Sequence, residues 1–270
     1  MTKRKKNVPM NRAEMKLSKD TPFAVSEAYK ALRTNLLFAL ATTEGKTVVV
    51  SSSSPGEGKS VVSADLAITL AQNSSRVLLI DADLRKPTQH TIFGVENSHG
   101  LSKFLVGMES LAEALHPSVE PRLDLLTSGP TPPNPSELLG SKNMNILLRK
   151  LEAHYDYILI DSPPVNLVTD AVVLSSKTAG ILLVAKHNTT SYDDLKRALD
   201  AVRFANANVL GVAISQYMEK SKEYYNRYYR KKYGGYSELS NIREVPVPEE
   251  MQFDDSYMES KTVGKRTGQE

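Results

Sequence analysis

The stretch Thr47-Val-Val-Val-Ser-Ser-Ser-Ser-Pro-Gly-Glu-Gly-Lys-Ser60 constrains the fold of this 270-residue chain more than any other feature. A β-branched apolar run breaks into a glycine loop. The loop delivers a lysine and a serine to a helical pattern of Val61, Val62, Ala64, Leu66, Ala67, Leu70 and Ala71. A strand, loop and helix in this order make a cradle for a nucleotide phosphate. Gly56 and Gly58 fall where a side chain would obstruct the approach of the anion or where φ turns positive. Lys59 supplies a point charge to the β- and γ-phosphates, and the Ser60 hydroxyl is a ligand for Mg²⁺ at the positive end of the helix. The binding set is therefore Pro55, Gly56, Glu57, Gly58, Lys59 and Ser60. Measured against G-x-x-x-x-G-K-[ST], the first glycine is Ser53. The alternative, a serine- and glycine-rich turn, does not explain the flanking strand and helix.

Two further runs end in carboxylates. Arg76-Val-Leu-Leu-Ile-Asp81-Ala-Asp83-Leu-Arg85 carries two, and Tyr155-Asp-Tyr-Ile-Leu-Ile-Asp161-Ser-Pro-Pro164 carries one at its end. Continuous apolar runs are buried parallel strands, whose ligands collect at the carboxyl ends. Asp81, Asp83 and Asp161 thus converge where Mg²⁺ and the γ-phosphate would lie. A solvated turn explains each acid alone, but not all three together.

Strands are expected near 46–52, 76–81, 123–127, 155–161, 179–185 and 208–214, with helices at 22–40, 59–73, 109–115, 136–152, 169–176 and 191–205. Thr21 or Asp20 would cap the first helix, with Pro22 in its first turn. This alternation specifies an α/β fold, a mostly parallel sheet with helices on both faces. Ser128 to Pro135 is a proline-rich loop over the sheet edge. The organisation is a basic flexible arm (1–20), a nucleotide-binding domain (21–216) and a flexible tail (217–270) whose aliphatic periodicity has stopped.

Composition removes several chemistries. With no cysteine there are no disulfides, thiol nucleophiles or cysteine-bound metals. The five histidines have no ligand spacing, and a formal net charge of +3 gives no case for nucleic acid. No apolar run approaches the ~18 to 20 residues of a membrane span. The polar residues after Lys3-Arg-Lys-Lys6 leave no signal-peptide core, so the expected location is the cytoplasm.

Within 224–236 the tail holds six of the chain's twelve tyrosines, Tyr224, Tyr225, Tyr228, Tyr229, Tyr233 and Tyr236, among Arg227, Arg230, Lys231 and Lys232, and Tyr217 and Tyr257 flank them. Tyrosines among cations rather than aliphatics are accessible hydroxyls. They read as phosphoacceptors, as stacking platforms for single-stranded nucleic acid, or as a low-complexity end. A nucleotide site in the same chain favours the first.

Together, Gly58-Lys59-Ser60, Ile80-Asp81-Ala82-Asp83-Leu84-Arg85, Ile158-Leu159-Ile160-Asp161 and the tyrosine cluster resemble the bacterial tyrosine kinases of capsule and exopolysaccharide synthesis. The resemblance is to the cytoplasmic type with a separate membrane activator, and it covers residues 20 to 236. It implies a P-loop NTPase-type kinase using ATP and Mg²⁺. Lys59 would bind the phosphates, Ser60, Asp83 and Asp161 the metal, and Asp81 would accept the proton of the attacking tyrosine. It also implies that Glu27, Lys30 and Arg33 match a subunit-interface motif of ring-shaped homo-oligomers, with lysine at the central arginine position. An ordinary surface ion pair is the plainer reading of the same residues. Further implications are phosphorylation in trans, reset by a cognate phosphatase, and activation by a transmembrane polysaccharide co-polymerase-type protein at the inner face of the membrane. Partition and division-site ATPases of the same superfamily are the rival. Their signature lysine at the second loop position is Ser54 here. A nucleotide-gated scaffold without catalysis is a third reading.

Overall fold

The computed structural model describes residues 16–43 and 45–217, which build one seven-stranded sheet with helices on both faces. In chain order the elements are α1 (Phe23–Leu40), β1 (Thr47–Ser52), α2 (Lys59–Ala71), β2 (Val77–Asp81), α3 (Gln89–Phe93), α4 (Leu101–Leu105) and α5 (Leu111–Ala114). They continue with β3 (Leu115–Glu120), β4 (Leu123–Leu126), α6 (Pro135–Gly140), α7 (Lys142–Glu152), β5 (Tyr157–Asp161), α8 (Asp170–Ser175), β6 (Gly180–Lys186), α9 (Tyr192–Phe204) and β7 (Val209–Ser215). The chain divides after Tyr217, and the second unit, Met218–Glu270, lies outside the described residues with its tyrosine cluster.

The strand order is β3-β4-β2-β5-β1-β6-β7, parallel throughout except for β3 against β4. Alternate residues of each central strand enter opposite cores, which is why these strands read as unbroken apolar runs. Val49, Leu78, Ile80, Ile158, Ile160 and Leu183 pack under α6, α7, α8 and α9 with Leu139, Leu147, Leu174 and Val202. Val48, Val50, Leu79, Leu159 and Val184 pack on the other side with Leu36 of α1, Leu66 and Leu70 of α2, and Ile92 of α3.

The structure departs from the sequence reading at several elements. The helix expected at 109–115 is one turn, α5, followed by the unanticipated edge strand β3. This strand contains Pro117, is interrupted between His116 and Glu120, and places Ser118 at φ 53°. Proline cannot donate to a ladder and is tolerated at such an edge. The helix expected at 136–152 is two, because Ser141 leaves the helical conformation (ψ 162°) and caps α7 by accepting from Met144 N. At α1 the N-cap is Pro22 itself, at φ −53° and ψ 136° with no side-chain cap, rather than Thr21 or Asp20. Short helices α3 and α4 were not anticipated. Lys16 and Leu17, assigned to the basic arm, pack onto the sheet domain. Leu17 is buried and its N–H donates to Asp65 Oδ1 at 2.7 Å, while Lys16 pairs with Glu120 and lies 5.0 Å from the Phe93 ring centroid. Among the described residues no helix is long and apolar enough to cross a membrane.

Candidate functional site

β2, β5 and β1 are adjacent and parallel, so their carboxyl ends meet at one place. Register puts Asp81 beside Asp161, and Asp161 beside Val50 of β1. The loop leaving β1 turns through Gly56 (φ 80°) and Gly58 (φ 91°), and Gly58 is the N-cap of α2. A side chain at either position would be strained by the left-handed backbone, and one at Gly58 would also meet Ser215 Oγ at 3.4 Å. No side chain caps α2. Its first-turn N–H groups and the positive end of its dipole therefore face the loop, the arrangement that binds phosphate.

Lys59 Nζ lies 2.9 Å from Asp83 Oδ2, 3.4 Å from Asp161 Oδ1 and 3.1 Å from Ser60 Oγ. Burial lowers the affinity of this amine for its proton, but the Asp161 and Asp83 charges outweigh it and push the pKa up to about 12. Lys59 is a fixed cation. Ser63 Oγ reaches Asp161 Oδ1 at 3.5 Å.

Asp81 is enclosed. Its Oδ2 accepts from the N–H groups of Thr88 and Gln89, both at 2.9 Å, and its Oδ1 from Asp83 N–H at 3.2 Å. Burial and the neighbouring Asp161 charge push its pKa up to about 7, against the opposing pull of those N–H donors and Lys59. Asp83 Oδ1 accepts from Lys86 N–H at 3.0 Å. The two aspartates of the same run thus differ. Asp81 is wrapped by the backbone of the loop it precedes, whereas Asp83 faces Lys59.

The Glu57 side chain turns inward, away from the cradle. It accepts from Ser53 Oγ at 2.9 and 3.0 Å, from Ser54 N–H at 3.0 Å and from Thr190 Oγ1 at 2.5 Å. Its side chain is engaged there, so only its backbone is left to face a phosphate. The Ser53 hydroxyl that stands in place of the expected glycine is one of the struts of this loop. Ser215, at the end of β7, donates through Oγ to the Glu57 carbonyl at 2.5 Å.

A family model described as ParA: NUBPL iron-transfer P-loop NTPase matches residues 44–270. Tyrosine-protein kinase YwqD of Bacillus subtilis (strain 168) is 42% identical over 200 residues, 74% of this chain and 84% of that protein. Among solved structures, the chimerical protein CapA2B2 is 36% identical with a TM-score of 0.70, over 74% of this chain and 87% of that one. The kinase domain of Escherichia coli tyrosine kinase ETK is 34% identical with a TM-score of 0.70, over 76% and 84%. The chain belongs to the bacterial tyrosine-protein kinases. It is a P-loop enzyme whose activity is the phosphorylation of protein tyrosine. Iron transfer through thiolates has no residues here, since the chain has no cysteine.

In this tyrosine kinase the structure brings together Lys59, Ser60, Asp81, Asp83 and Asp161. Glu27, Lys30 and Arg33 lie apart on α1. Lys30 Nζ pairs with Glu27 Oε1 at 2.8 Å on the surface, and Arg33 Nη1 donates to Thr69 O at 3.0 Å, satisfying one of the terminal carbonyls of α2. Arg85, at the end of the second carboxylate run, points to α8 and α6 instead of the phosphates. It holds Asp170 through Nε at 3.0 Å and Nη2 at 3.2 Å, and Ser136 Oγ at 3.0 Å. Sequence reasoning missed Gln89 and Thr190. The first follows the Asp81 to Arg85 motif without chemical spacing, and the second sits in an unremarked polar run.

Proposed function

We propose that this tyrosine kinase transfers the γ-phosphoryl group of ATP to the tail tyrosines of a neighbouring copy, and thereby controls the synthesis and chain length of a capsular or extracellular polysaccharide. The observation that carries the proposal is the meeting of Lys59, Ser60, Asp83 and Asp161 at the uncapped start of α2. Lys59 and the loop N–H groups would hold the β- and γ-phosphates in line with the acceptor.

The residues fit Mg²⁺. Among the described residues no three His, Cys, Asp or Glu side chains form a cluster that could hold a metal ion by itself. Mg²⁺ is commonly bound by one or two carboxylates together with substrate phosphates, so such a cage is not required. Ser60 Oγ, Asp83 Oδ2 and Asp161 Oδ1 converge on the Lys59 ammonium, an all-oxygen donor set of the kind a hard cation takes. Ser60, Asp83 and Asp161 would hold the ion, which when bound neutralises charge developing on the phosphoryl oxygens.

The phenolic oxygen of the acceptor forms a bond to the γ-phosphorus as the bond to the β,γ-bridging oxygen breaks, releasing ADP. In this scheme the phenolic proton goes to Asp81, the carboxylate that strand register sets beside Asp161. The tail tyrosines Tyr224, Tyr225, Tyr228, Tyr229, Tyr233 and Tyr236 are the acceptors in this scheme, and Glu27, Lys30 and Arg33 form the face between copies in a ring. A transmembrane polysaccharide co-polymerase-type partner would activate the kinase and hold it at the inner face of the membrane, and a phosphatase would reset it.

The test is mass-spectrometric mapping of phosphotyrosine after incubation with Mg·ATP, with and without the cytoplasmic segment of a candidate activator. Phosphate on Tyr224 to Tyr236 in the natural sequence and none in Lys59→Met is the expected result. ATP hydrolysis with an unmodified tail, activator present, would replace the proposal with a partition-type ATPase.

A further inference from the structure

Gln89 is the first residue of α3 and is fully buried. Its Nε2 donates to Ser60 O at 2.9 Å and to Asp161 Oδ2 at 2.8 Å, and its backbone N–H donates to Asp81 Oδ2 at 2.9 Å. One residue therefore ties the start of α2, the end of β2 and the end of β5, the three segments that carry the site.

Both side-chain partners of Gln89 are acceptors, a carbonyl and a carboxylate. An amide turned the other way would set its oxygen against two oxygens, so the donor end must face them. The opposite end, Oε1, is then enclosed with no partner. A buried acceptor left unpaired carries a desolvation penalty, and in a native structure it calls for a reason. The reason lies in what the donor end does. Asp161 Oδ1 faces Lys59 and Ser63, and Gln89 supplies the side-chain donor to Oδ2. Without that donor the carboxylate is free to rotate toward the lysine charge.

We propose that Gln89 is a positioning residue of the metal site, locking the Asp161 carboxylate against the Ser60 turn so that Mg²⁺ is taken up with the nucleotide. The proposal rests on the nucleotide site assigned above. Gln89 acts through Asp161. Outer-shell partners of this kind fix the orientation of a ligating carboxylate, and their loss weakens metal binding by roughly 10- to 100-fold.

Binding of a fluorescent ADP analogue to the full chain, titrated with Mg²⁺ and repeated in EDTA, tests this. Gln89→Met keeps length and volume but removes both donors. It should raise the half-saturating Mg²⁺ concentration by about 10-fold or more and leave affinity in EDTA unchanged. In an Asp161→Asn background the same substitution should have no further effect, as a double-mutant cycle requires of a residue acting through its partner. Where Gln89→Met does not fold, Gln89→Asn, whose amide falls one methylene short, should give the same shift. An unchanged Mg²⁺ dependence overturns the proposal. So does parallel loss of affinity with and without Mg²⁺, or full additivity in the double variant, because those mark packing alone. Failure of the natural sequence to bind the analogue at all would instead refute the nucleotide site.

Discussion

Glu57 places a buried carboxylate inside a loop that exists to bind anions. Its charge would oppose a phosphate, yet its side chain accepts from Ser53, Ser54 and Thr190 on the far side of the backbone. The carboxylate shapes the cradle from behind. Glu57→Gln sets an amide donor against a group of donors, which should lower stability by about 1–3 kcal/mol. It should raise the KM for ATP more than it lowers kcat, because the loop's fit to the phosphates loosens while the reacting groups stay. Thermal unfolding and steady-state kinetics check this, and a fall in kcat at unchanged KM would assign Glu57 to the chemistry instead. Lys59, Ser60 and the three aspartates were legible beforehand because each sits at a strand end or in a spaced motif. Gln89 and the inward turn of Glu57 were not, since nothing in a linear pattern says which way a side chain faces or what lies across the sheet.

At the scale of elements, the contact of α1 with α2 contains a buried acid. Asp65 of α2 accepts the Leu17 N–H and lies beside Tyr29 of α1, whose hydroxyl is pushed well above its usual pKa by burial and by Asp65. Burial pushes Asp65 up to about 6, against the pull of the Leu17 N–H, Tyr29 and Lys16. A carboxyl with a raised folded-state pKa favours folding in its protonated form. Its contribution is full below about pH 4, falls as pH rises through about 6, and the total change is on the order of 3 kcal/mol. Asp65→Asn keeps an acceptor and never ionises. Urea unfolding at pH 5 and pH 8 should show the variant gaining stability relative to the natural sequence at the higher pH, and an equal difference at both would sink the argument. The central strands were readable because burial on both faces leaves only apolar residues. β3 was not, because its half-exposed residues and Pro117 carry no strand period, and its pairing with β4 is what makes it a strand.

At the scale of the molecule, charge would decide how copies meet in the proposed ring. Residues 217–270 hold ten Lys and Arg and ten Asp and Glu, so the tail is formally neutral and the chain carries +3. In the proposed scheme, phosphate on six tyrosines would add about −1.5 to −2 each, making every tail strongly anionic and setting neighbouring copies against one another. On α1, Lys30 pairs with Glu27 and Arg33 with the end of α2, so the proposed face between copies would form over these internal bonds. Such an assembly has little to set against tail repulsion. Light scattering should find a larger mass before incubation with Mg·ATP and activator than after it, with the difference shrinking in about 1 M salt, where the screening length falls to about 3 Å. Replacing all six tyrosines by Phe should abolish self-phosphorylation, preserve phosphorylation of another protein, and hold the larger mass throughout. A natural chain whose mass ignores phosphorylation would remove the switch, and a variant that loses both activities would make the tail part of the folded site.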